Sequence, residues 1–82
     1  MIERYKEAVL TRDLPEKGLK AGDVGTVVEV YEDEAVGAGY SLEFFSPSGE
    51  TVAVATVLAD AARPASDDEV LHARRLEERA AG

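Results

Sequence analysis

The chain alternates short apolar runs with turn chemistry, and the runs have the length and period of strands. Glu7-Ala8-Val9-Leu10-Thr11 reads as a first strand. Leu14-Pro15 ends the pattern, because proline has no N–H for a central ladder. Pro15-Glu16-Lys17-Gly18 is a turn that Leu14 and Leu19 tuck onto the core. Gly22 to Tyr31 is the strongest segment. Its alternation places Val24, Thr26, Val28 and Val30 on one face. Gly25 inside that run signals a bulge or a close backbone approach. Glu32 to Gly39 is a loop, and Tyr40, Leu42 and Phe44 alternate with Ser41, Glu43 and Phe45 in a third strand. Ser46-Pro47-Ser48-Gly49 fits a type I turn leading to a fourth strand, Thr51 to Leu58. Ala59-Asp60-Ala61 fits one 3₁₀ turn, and Ala62-Arg63-Pro64 a very short fifth strand at a sheet edge.

The period changes after Pro64. Ser66-Asp67-Asp68-Glu69 matches a capping box, which predicts a helix from Asp67 to about Ala80. At about 100° per residue, Val70, Ala73, Leu76 and Ala80 share one side, interrupted by Glu69 and Glu77. A stripe this broken predicts a helix lying loosely on the strands or waiting for a partner. The pattern as a whole predicts a mainly β chain: a small SH3-like β-barrel of about five strands over residues 1–64, then a short C-terminal α-helix in a 65–82 extension. Residues 1–64 are expected to fold without that extension. The expected core is Ala8 or Val9, Leu10, Leu14, Leu19, Val24, Val28, Val30, Leu42, Phe44, Val54 and Leu58.

Charge narrows what such a barrel can bind. The 82 residues carry 17 acidic and 9 basic side chains, a net charge of −8. Neither the barrel nor the extension is basic, so the phosphate-neutralising term behind most nucleic-acid affinity is missing. The same surface favours solubility and can steer a basic protein. No cysteine is present, which excludes disulfides and thiolate metal sites and accords with a reducing cytoplasm. No segment has the apolar core of a signal peptide or the length of a membrane span, so a cytoplasmic location away from membranes is expected.

Candidate chemistry is sparse. His72 is the only histidine, and on a polar helix it reads as a solvated surface residue rather than a base or a ligand. The serines are accounted for by turns and the cap, which leaves no nucleophile–base pair. Glu32-Asp33-Glu34 lacks the alternating ligands and closing glutamate of a calcium loop. Gly22-Asp23-Val24-Gly25 leads into a strand rather than a helix, so it does not cradle phosphate. These readings predict no enzyme, no cofactor and no metal.

The run Val9-Leu10-Thr11-Arg12-Asp13-Leu14-Pro15, followed by Gly18-Leu19-Lys20-Ala21-Gly22-Asp23-Val24-Gly25-Thr26-Val27-Val28-Glu29-Val30-Tyr31, resembles a family of small bacterial proteins. That family is known as a domain of unknown function, numbered 4926. The resemblance continues through Leu42-Glu43-Phe44, Gly49-Glu50-Thr51 and Ala62-Arg63-Pro64, covering about residues 5–64. It implies an SH3-like barrel, distantly similar to KOW modules and to the barrel of nitrile hydratase β subunits. It carries no activity and assigns no residue a role. The Glu32–Gly39 loop is longer than the resemblance leads one to expect, and the segment after Pro64 lies outside it.

The functional expectation is a non-catalytic protein-binding module, such as an antitoxin, an immunity factor or an accessory subunit, with a protein partner or self-association. A KOW-like nucleic-acid module and a small enzyme subunit are the alternatives, opposed by the charge and by the missing catalytic set. The expected partner-binding groups are Phe45, the acidic loop Glu32, Asp33 and Glu34, and Val70 and Leu76 of the tail. Phe45 has two readings: an exposed anchor, or a residue folded under the C-terminal helix.

Overall fold

The structure, a computed structural model, describes residues 1–76. Five antiparallel strands follow one another: β1 (Glu7–Leu10), β2 (Val24–Asp33), β3 (Gly37–Phe45), β4 (Thr51–Leu58) and β5 (Ala62–Pro64). They form one open sheet in the order β4-β3-β2-β1-β5. Single 3₁₀ turns at Pro15–Lys17 and Ala59–Ala61 join β1 to β2 and β4 to β5. The turns follow their chemistry. Gly18 takes φ +70 and closes the first 3₁₀ turn onto the Pro15 carbonyl. The Gly49 N–H donates to the Ser46 carbonyl at 2.9 Å, which makes the β3–β4 connection a hairpin. No helix among the described residues is long and apolar enough to cross a membrane.

The core lies on one face of the sheet. Leu10, Val27 and Leu42 are its fully buried centre, with Ile2, Ala8, Leu19, Tyr40, Phe44, Ala55, Val57 and Ala61 around them. Ile2 closes one end, its N–H donating to the Tyr40 hydroxyl at 2.9 Å. Leu14 and Val30 pack against the cluster from its rim.

Two face assignments differ from the sequence reading. In β2 the register shifts between Val27 and Glu29, so the strand changes phase at Val28. Gly25 and Val27 are buried before that bulge, Val30 turns inward after it, and Val24 and Val28 are only half-buried. In β4 the inward set is Ala53, Ala55 and Val57, while Val54 and Leu58 face out. Ala53 pairs with Phe44 and Ala55 with Leu42, so small residues of β4 stand beside large ones of β3.

Phe44 also explains Gly25. A Cβ on Gly25 would stand 2.8 Å from Cε2 and 2.9 Å from Cζ of that ring. Phe44 is only 4 % exposed, so the ring has little room to retreat. Gly25→Ala is expected to cost about 1–3 kcal/mol by overpacking. Urea denaturation checks it, and a change below about 0.5 kcal/mol would show that the ring moves freely.

The expected C-terminal helix is not formed. Residues 67–76 make one turn and then run irregularly, and the part of the expected helix beyond Leu76 lies outside the described residues. Half of the capping box is present: the Ser66 N–H donates to Glu69 Oε1 at 2.8 Å. Glu69 is then taken by Arg63, whose Nη1 and Nη2 donate to its carboxylate at 3.0 and 2.7 Å. The Arg63 hydrogen bonds, helped by the Ser66 N–H and the guanidinium charge, hold the Glu69 carboxyl down at about 2. Beyond the turn, His72 and Arg74 both reach Asp23. Residues two apart share a side of an extended chain, whereas a helix would separate them by about 200°. The tail therefore gains more from an extended strap than from a weakly amphipathic helix.

Candidate interaction surface

β4 is an end strand of the sheet. Its inner neighbour is β3, and among the described residues no strand pairs with its other side. Thr51-Val52-Ala53-Val54-Ala55-Thr56-Val57-Leu58 holds neither a charge, nor a proline, nor a glycine. Each of the other four strands carries at least one charged residue. Long, uncharged edges are what proteins ordinarily avoid, because unpaired N–H and C=O groups template further pairing.

The outer face next to this edge is apolar and hydroxyl-bearing. The register sets Val54 beside Glu43, Thr56 beside Ser41 and Leu58 beside Gly39, with Tyr31 on the far side of Gly39. Val52, Val54, Leu58 and Tyr31 are 46, 47, 51 and 43 % exposed. Ser41 Oγ lies 2.9 Å from Tyr31 Oη and 3.1 Å from Thr56 Oγ1, a hydroxyl ladder across three strands. Gly39 lets β3 and β4 approach, since a Cβ there would stand 2.6 Å from the Val57 carbonyl oxygen.

The residues expected from sequence fall into separate places. Phe45 ends β3 opposite Thr51 and is 46 % exposed, which settles its two readings in favour of exposure. Glu32 and Asp33 end β2, and Glu34 lies in the turn to β3; all three are exposed. Glu32 pairs with Ala38, so the acidic loop and Phe45 stand at opposite ends of β3, about 23 Å apart at 3.3 Å per residue. Val70 is 95 % exposed, whereas Leu76 packs against the core. The tail thus presents no joint Val70–Leu76 face. Sequence reasoning passed over the outward side of β4. The signal for it was present, as a strand-length run without charge, proline or glycine.

It also passed over the strongest polar cluster. Asp23 is buried at the β1–β2 connection. Arg74 Nε donates to its Oδ1 at 2.8 Å and Arg74 Nη2 to its Oδ2 at 2.6 Å, a bidentate pair. The Lys20 N–H donates to Oδ2 at 2.8 Å, and His72 Nε2 lies 3.2 Å from Oδ1. Arg74 Nη2 also donates to the Gly18 carbonyl at 2.8 Å. Burial pushes the Asp23 carboxyl up, but the Arg74 hydrogen bonds, the Lys20 N–H, the Arg74 charge and His72 outweigh it. The net shift is downward. His72 is therefore part of a structural clamp rather than a free surface group. All buried side-chain N and O atoms among the described residues have a partner.

A groove of about 650 Å³ runs beside β5, lined by Met1, Ile2, Lys6, Pro64, Glu69 and Leu71 among others. Glu3, Glu7 and Asp67 also line it, but no group of three His, Cys, Asp or Glu side chains among the described residues is placed to hold a metal ion. No curated protein and no solved structure matches the chain. One family model matches residues 5–64, spanning all five strands. The chain belongs to the family described as Domain of unknown function (DUF4926).

Proposed function

We propose that this chain is a non-catalytic protein-binding module built on an SH3-like barrel. It would act as an antitoxin or immunity-type inhibitor, or as an accessory subunit, of a partner protein in the bacterial cytoplasm. The observation that carries the reading is β4: an uncharged end strand whose outer side chains are half-exposed and mostly apolar. An added strand gains main-chain hydrogen bonds along such an edge, and side chains at alternate positions give selectivity. The SH3-like assignment is supported by the strand order and by the 3₁₀ turn between β4 and β5. Phe45 extends the apolar surface at the Thr51 end. The acidic loop stands near the Leu58 end, where it would speed encounter with a basic partner rather than hold it.

Capture on the immobilised full chain tests this. A protein retained by the wild type should be lost at least about tenfold from Val54→Lys and Leu58→Lys. Val36→Lys, at an exposed position in the β2–β3 turn, should retain it. Retention unaffected by either β4 variant, or recovery of nucleic acid in place of protein, would overturn the proposal.

A further inference from the structure

The β4 edge can be read one step further, to the chemistry of what covers it; this rests on β4 being the binding edge. A two-fold axis across an end strand sets each residue against the one equally far beyond the axis, so only the residue on the axis meets its own copy. A charge at the centre of such a strand then meets its like, which is costly directly across a ladder. Of the two end strands, β5 has Arg63 at its centre and carries that cost, whereas β4 has no charge to oppose. The rest of the molecule disfavours its own kind, at a net charge of −8. The neutral strip is therefore where two copies can meet.

We propose that β4 pairs antiparallel with β4 of a second copy, giving a dimer with one continuous sheet. The charges flanking the strand select the register. With Ala55 on the axis, Glu50 of one copy would be directed toward Asp60 of the other, acid against acid. With Val54 on the axis, Glu50 instead meets Leu58, Ala53 meets Ala55, and Val52 meets Thr56. The second register sets Thr51 to Val57 against neutral groups and Leu58 against a single Glu50, with no acid against acid, and continues both faces of the sheet. Small inward residues, Ala53 and Ala55, adjoin their equivalents, so the join adds no bulk to the core layer. Val54 meets its own copy on the outer face.

This geometry gives a test that a general loss of folding cannot imitate. The full chain is examined by sedimentation at roughly 10–100 μM, the range in which a single added strand can hold two copies. The wild type should be a dimer. Val54→Lys and Val54→Glu should each weaken association by about a hundredfold or more, because like charges then meet on the axis. Both should keep the wild-type circular dichroism. An equimolar mixture of the two should restore the dimer, since lysine now faces glutamate. Added salt should strengthen the wild-type dimer by screening repulsion between the acidic copies, whereas it would weaken binding to a basic partner. A wild type that stays monomeric overturns the second copy. If β4 variants of that monomer still lose a captured protein, the module reading stands alone; if they do not, both readings fall. A dimer indifferent to both Val54 variants places the contact elsewhere and overturns the proposal as well.

Discussion

Leu42→Ala is expected to lower stability by about 2–5 kcal/mol, through lost burial and the cavity left behind. Leu42 is wholly buried in the middle of β3 and pairs with Val27 on one side and Ala55 on the other. Both neighbours belong to the core, so no flexible surface group stands ready to fill the space. A domain of this size has a total stability of roughly 4–12 kcal/mol, so the variant could lose most of it. Val54→Ala and Leu58→Ala remove similar side chains from the outer face and should change stability by less than about 1 kcal/mol. Urea denaturation of the three variants checks the assignment of faces. A costly Val54→Ala beside a cheap Leu42→Ala would mean that β3 and β4 are turned over.

Asp23→Ala should cost about 2–3 kcal/mol, less than a fully buried pair because Arg74 keeps partial contact with water. The replacement strands the Arg74 guanidinium, the Lys20 N–H and the His72 ring together, which is why one carboxylate carries so much. The same group makes stability depend on pH. Its folded pKa is depressed, so its contribution is present above the ordinary carboxylate value of 3.8 and is lost as pH falls through the lower folded value. The difference in unfolding free energy between wild type and Asp23→Asn should shrink as pH is lowered from about 5 to 2. A difference that stays constant over that range would show that the pair is not formed in solution.

How much of this was legible depended on whether the deciding interaction was local. The Pro15–Gly18 and Ser46–Gly49 turns and the bounds of β4 and β5 are set by residues adjacent in sequence, and they stand where the pattern put them. The inward face of β2 was not legible, because the bulge at Val28 shifts the phase and nothing in Val27-Val28-Glu29-Val30 marks it. The face of β4 was ambiguous for another reason: both alternate sets of Thr51 to Leu58 are largely apolar, so no polar set labels the outside. The tail was misread through a capping box of which only the Glu69 half forms, and that glutamate has a better partner in Arg63. A period of two, His72-Arg74-Leu76, was the countersignal, and its meaning depended on Asp23 far along the chain. Of the expected contact residues, exposure was legible for the acidic loop, whereas the sequence left Phe45 open between exposure and cover by the tail. Their separation along β3 was not legible.

The Asp23 clamp also bears on how the chain comes off the ribosome. Arg74 follows Asp23 by 51 residues, so at 5–20 residues per second the carboxylate waits roughly 3–10 s for its guanidinium. During that interval the four strands β2 to β5 are synthesised while the Asp23 charge still needs water. A nascent chain stopped before Arg74 is therefore expected to keep the β1–β2 connection open. Docking of the strap would then be the last step in sealing it, and its release the first step of unfolding.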